Sequence, residues 1–176
     1  MFDILRQDLR RYRTENGFAW YEPSILAVVC YRFGQFSKRC PWGIRHLLTI
    51  CHMPVSILIT LMTGIHLPRG AKIGPGLRIY HFGCIILNPL TVIGKNCTLR
   101  HEVTIGNRQD VDDVPVIGDD VEFGAGAKVL GKIVIGDHAK IGANAVVLTD
   151  VPPYGVAVGI PAKVIEHTGH ENCRRS

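Results

Sequence analysis

A chain of 176 residues is long enough for one well-buried core and argues against two independent globular units, while leaving room for a helical lobe on a larger body. Its 19 glycines and 10 prolines, set against 6 Phe, 5 Tyr and 2 Trp, suit many short strands and tight turns. The formal net charge of +5 comes with no RNA-binding signature, zinc finger or basic zipper, which sets nucleic acid aside as a partner.

The N-terminal third carries most of the excess charge, at Arg6, Arg10, Arg11, Arg13, Arg32, Lys38, Arg39 and Arg45. Such a bias suits anionic lipid or the phosphates of a nucleotide cofactor and does not choose between them. Residues 1–63 read as a helical region. Phe2, Leu5 and Leu9 fall at helical spacing, and Ile25, Val28, Val29, Phe33 and Phe36 form a second apolar stripe after the start signal Glu22-Pro23-Ser24. Cys40-Pro41-Trp42-Gly43 breaks the chain. The stretch Leu47 to Ile65 that follows has no charged residue and is as long as a membrane span. His52, Pro54, three threonines and a serine favour instead a packed helix or one lying on a membrane surface.

From residue 64 to 165 a period of six takes over. Large apolar residues recur at Leu67, Ile73, Ile79, Ile85, Ile93, Leu99, Ile105, Ile117, Phe123, Val129, Ile135, Ile141 and Val147. Glycine often follows at once, and a small or branched residue such as Ala71, Gly83, Cys97, Ala127, Ala139 or Ala145 sits four places on. No helix satisfies that period. It predicts a mainly β protein, a solenoid of three six-residue units per coil, with the large residue in the prism core and the small one in a corner. Two steps depart from six: eight between Ile85 and Ile93, read as a turn enlarged at Asn88-Pro89, and twelve between Ile105 and Ile117, read as a loop extruded at about 107–116. Residues 166–176 read as a tail. Six scattered cysteines without a CxxC pair indicate neither a disulfide framework nor a metal site, and the expectation is reduced thiols in the cytoplasm.

Several runs resemble the serine acetyltransferases and the related polysaccharide-pathway acetyltransferases of the hexapeptide-repeat superfamily. They are Tyr21-Glu22-Pro23 with Tyr31-Arg32, Ala71-Lys72-Ile73-Gly74-Pro75-Gly76, Ile79-Tyr80-His81, Phe123 to Gly131, and Val158-Gly159-Ile160-Pro161-Ala162-Lys163. The resemblance implies a left-handed parallel β-helix, a homotrimer with active sites in the clefts between prisms, acetyl-CoA as co-substrate and His81 as catalytic base. For the cofactor it points to Gly124, Ala125, Gly142, Ala143 and Lys163. Position alone, at the root of the extruded loop, makes Gly106 or Asn107 the candidate to offer an amide to the oxyanion.

Acetyl transfer to an alcohol needs a base for the hydroxyl, a donor for the tetrahedral oxyanion and a slot for the pantetheine arm. His101 follows Leu99 as His81 follows Ile79, so the two should stack on neighbouring strands about 4.8 Å apart, where two positive charges would oppose each other. The family carries acids where this chain has Tyr80 and His66, and a basic pair where it has Asp113-Val114. Tyr80, His66 and Glu102 therefore become the candidate acceptor contacts, with Tyr80, His101 or Glu102 orienting His81. Loss of an amino-acid clamp leads to a sugar hydroxyl in surface polysaccharide assembly as the first expectation, near the inner face of a membrane. Serine acetylation is the alternative, and a non-catalytic scaffold the third.

Overall fold

The protein is described by a computed structural model covering residues 2–15, 17–19 and 21–165; the tail read at 166–176 lies outside them. The N-terminal region holds α1 (Phe2–Arg10), β1 (Arg13–Thr14), β2 (Gly17–Phe18), α2 (Ser24–Ser37) and α3 (Trp42–Thr63). The β1–β2 hairpin departs from the helical reading of this region. Two-residue strands are too short to show a period, and the reversal uses Gly17 at φ +108°.

The side that each helix turns to the body also differs from its apolar stripe. On α1 the buried residue is Asp8; Phe2 is exposed. On α2, Val29, Phe33 and Phe36 point outward while Ser24, Ala27, Val28, Tyr31 and Arg32 face inward. The cause is what they meet: the first coil of a solenoid presents unpaired backbone groups that need partners. Tyr31 donates to the Ala71 carbonyl at 2.7 Å, and Arg32 donates to those of Ile73 (2.7 Å) and Gly74 (2.6 Å). The Asp8 carboxylate pairs with Arg32 at 2.7 Å and accepts the N–H groups of Gly76 (2.8 Å) and Leu77 (2.9 Å). α3 ends at Gly64, whose φ of +67° turns the chain into the prism.

The prism has five coils. The first holds β3 (Ile65–His66), β4 (Lys72–Ile73) and β5 (Arg78–Tyr80), and the second β6 (Ile85–Leu87), β7 (Val92–Ile93) and β8 (Thr98–Arg100). The third has β9 (Thr104–Gly106), β10 (Val116–Ile117) and β11 (Glu122–Phe123), and the fourth β12 (Lys128–Leu130), β13 (Val134–Ile135) and β14 (Lys140–Ile141). In the fifth, β15 (Val146–Val147) and β16 (Val156–Val158) flank a bridge from Val151 to Ile135, and β17 (Lys163–Ile165) returns antiparallel to β16. Strands stack in three faces: β3-β6-β9-β12-β15, then β4-β7-β10-β13, then β5-β8-β11-β14-β16-β17. The large repeat residues form the core, and Ala71, Cys97, Val121, Ala127, Ala139 and Ala145 fill corners at 0–1% exposure.

One frame of the repeat is corrected by the register. Ile65 pairs with Ile85, and Leu87 pairs with Ile105. Leu87, not Ile85, is therefore the core residue equivalent to Leu67 and Ile105, and the long step runs from Ile79 to Leu87. The enlarged turn lies at the corner after Tyr80 and not at Asn88-Pro89. Gly83 is not a corner filler; Ile85 takes that place beside Val103. The loop read at about 107–116 does leave the prism, between Gly106 and Val116.

Candidate active site

His81 sits in that enlarged corner. At the equivalent corner of the higher coils, Gly126 N–H donates to the His101 carbonyl and Asn144 N–H to that of Ala125. Glu102 N–H donates to Gly83, so Gly83 holds the backbone place of His101, and His81-Phe82 are two inserted residues. Cys84, Glu102, Gly126 and Asn144 share the left-handed conformation this corner demands, with φ between +47° and +73°. His81 adds a left-handed residue of its own at φ +66°. The insertion lifts its side chain off the wall, and it is exposed.

The strand that delivers it is held from outside the prism. Tyr12 Oη accepts the Ile79 N–H at 3.1 Å, and Ser24 Oγ donates to the Ile79 carbonyl at 3.0 Å. Arg78, 2% exposed, pairs with Glu22 at 2.9 Å and lies between the rings of Tyr12 (4.2 Å) and Tyr80 (4.3 Å). Asp8, Tyr12 and Arg78 were not singled out from sequence, because their meaning comes from partners more than 20 residues away. Glu22 and Arg32 were visible as part of a helix start, as a charge and as matching positions, without their partners.

The expected stacking of the two histidines is present. Ile79 pairs with Leu99, and the imidazoles meet edge to face with centroids 5.9 Å apart and planes at 65°. Tyr80 is 39% exposed, its ring over Arg78 and 5.8 Å from the Arg100 guanidinium. Glu102 is exposed at φ +61°, and its carbonyl accepts the Lys128 ammonium. His66 lies one face further on, exposed and in register with Ile86.

The candidate cofactor residues divide. Ala125, half-buried, and Ala143, exposed, continue the His81–His101 corner upward as small side chains. Gly124 and Gly142 are glycines for the prism's own packing: a Cβ at Gly124 would meet Ala143 N at 2.5 Å, and one at Gly142 would meet Val158 Cγ1 at 2.8 Å. Lys163, exposed on β17, pairs with Val158 at the top of the same column. Gly106 and Asn107 lie across the adjoining face, where Asn107 Oδ1 accepts from Asn88 Nδ2 at 3.1 Å. Within one chain they do not meet the histidines. Among the described residues no group of three or more His, Cys, Asp or Glu could hold a metal. Burial pushes the Cys97 thiol up to about 12. What the corner offers is an accessible imidazole at the foot of a ladder of small residues, suited to taking a proton from an acceptor bound beside an extended cofactor.

Residues 115–149 match the family model for the bacterial transferase hexapeptide (six repeats). The serine acetyltransferase of Helicobacter pylori (strain J99) is 42% identical over 146 residues, 81% of this chain and 81% of that protein. The serine acetyltransferase of Synechococcus elongatus is 36% identical over 149 residues, 84% of this chain. This chain spans only 59% of that longer relative. Among solved structures, soybean serine acetyltransferase complexed with serine superposes with a TM-score of 0.76 and 33% identity, covering 93% of this chain and 68% of that one. A serine acetyltransferase in complex with CoA gives a TM-score of 0.78 and 28% identity over the same shares.

Proposed function

The chain belongs to the serine acetyltransferase family of hexapeptide-repeat transferases, which use acetyl-CoA as co-substrate, and from that premise we propose that it acetylates the hydroxyl of L-serine. The observation that carries the acceptor is the likeness to serine acetyltransferases across four fifths of the chain. It moves the acceptor away from the polysaccharide sugar to which the missing clamp first led.

His81 takes the proton from the serine hydroxyl as its oxygen attacks the thioester carbonyl. The tetrahedral intermediate collapses, the C–S bond breaks, and the imidazolium returns the proton to the CoA thiolate, giving O-acetylserine and CoA. His101, in contact with the ring, restricts its orientation. Ala125 and Ala143 leave room for the pantetheine arm, and Lys163 meets a phosphate as a point charge. A trimer, as the family resemblance implies, brings Gly106 and Asn107 of one prism toward the His81 corner of the next, where an amide steadies the oxyanion.

A carbohydrate hydroxyl is the second reading, and one observation favours it. The place before His81 holds Tyr80, committed to Arg78, and Asp113 in the loop accepts the Gln109 N–H at 3.4 Å instead of supplying a cation for a carboxylate. Acceptor-dependent release of CoA thiol decides between them. L-Serine is expected to support turnover, and His81→Ala to lower it at least ~10²-fold. Turnover with hexoses and none with serine overturns the first reading in favour of the second. Activity surviving His81→Ala removes the base assignment, and no thiol release with any acceptor leaves a scaffold.

A further inference from the structure

α3 is exposed in an unusual way. Leu47, Ile50, Met53, Leu58, Leu61 and Met62 are each 57–78% exposed, and every exposed residue of the helix after Leu47 is apolar. At 100° per residue they cover roughly 180° of its circumference, along a rod about 33 Å long. α2 extends the same surface through Leu26, Val29, Phe33 and Phe36, and a groove of about 390 Å³ between the helices joins the two. An apolar area of this extent needs a partner.

Charge identifies that partner. Residues 23–101 contain nine Lys and Arg and no Asp or Glu; all 15 acidic residues lie before or after them. Arg39 and Arg45 are exposed where α2 gives way to α3, beside the exposed Trp42. A second copy on this face would bring no acidic residue from 23–101 to meet these cations. An anionic bilayer takes both the apolar side and the cations.

We propose that α2 and α3 form a docking face for an anionic lipid bilayer, with α3 lying along the surface, its apolar side in the acyl boundary and Arg39 and Arg45 among the headgroups. The helix does not cross the membrane, because its other side is committed to the protein. His52 and Thr63 are buried, His52 Nε2 lies 3.0 Å from the Cys30 carbonyl, and Arg69 donates to Thr49 Oγ1 at 3.2 Å. At the far end, Ile85 N–H donates to the Gly64 carbonyl at 3.0 Å, so the docked helix holds the His81 corner next to the lipid surface.

The test is co-sedimentation of the full chain with vesicles of phosphatidylcholine alone and of phosphatidylcholine with phosphatidylglycerol, alongside its mass in detergent-free solution. The chain is expected to bind the anionic vesicles. Leu47→Ser/Ile50→Ser/Leu58→Ser/Leu61→Ser abolishes binding with its melting temperature retained, since these side chains touch solvent. Arg39→Gln/Arg45→Gln lowers partition about 25-fold. Absence of binding to both vesicle types overturns the proposal, as does binding that the serine variant leaves intact. So does a serine variant that alters the solution mass while the wild type ignores lipid, since a second copy then covers the face.

Discussion

At the scale of single residues, placement decides reactivity. His81 and Cys97 are both reached by the six-residue repeat, yet two inserted residues lift one out of the wall while the other fills a corner at 1% exposure. The raised thiol of Cys97 gives a prediction. Ellman's reagent at pH 8 should leave Cys97 unreacted in the folded protein and modify the exposed Cys51 and Cys84. The same shift links stability to pH. The thiol's ordinary value is 9.0 and its folded value about 12, so only the unfolded chain loses this proton as pH rises past 9. Stability is whole below that point and falls above it, by about 2 kcal/mol at pH 10.5. Urea titrations of Cys97→Ala should show a flatter decline over that window than the wild type.

At the scale of elements, the corner column separates residues that build the prism from residues that serve a ligand. Gly124 has no space for a Cβ against the Ala143 backbone, so Gly124→Ala forces the coils apart and should cost about 1–3 kcal/mol in thermal or urea unfolding. Ala125 is a half-buried residue of the same corner. Ala125→Leu should leave the melting temperature within a degree or two and raise KM for acetyl-CoA about tenfold or more. An Ala125→Leu enzyme with unchanged KM would remove this column from the cofactor path. In sequence both positions stood among the cofactor candidates with Ala125 the stronger, since Gly-Ala after a core residue serves a turn as well as a cofactor.

At the scale of the whole molecule, the helical region is a clasp on the first coil. Removing Asp8 strands a buried guanidinium and two backbone N–H groups, and Asp8→Ala should destabilise by about 3–5 kcal/mol. Because a solenoid's stability is a sum of neighbouring contacts, hydrogen exchange should quicken in β3–β5 well before β12–β14; uniform loss would show that the clasp serves the entire prism. The sequence by itself determined the β-helix, the extruded loop and the stacking of His81 with His101. A period of six predicts a solenoid and the resemblance its form, while the strand pairing Ile79–Leu99 brings the two histidines to one corner even though the inserted His81-Phe82 break the strict repeat there. It could not determine the frame at Ile85 and Leu87, since two apolar residues at i and i+2 both satisfy a core position and only strand pairing chooses. Nor could it show that α2 turns Arg32 and Tyr31 inward beside Val28 and leaves Val29, Phe33 and Phe36 outside. That follows from the unpaired carbonyls of the first coil, which exist only once the chain has wound the prism they end.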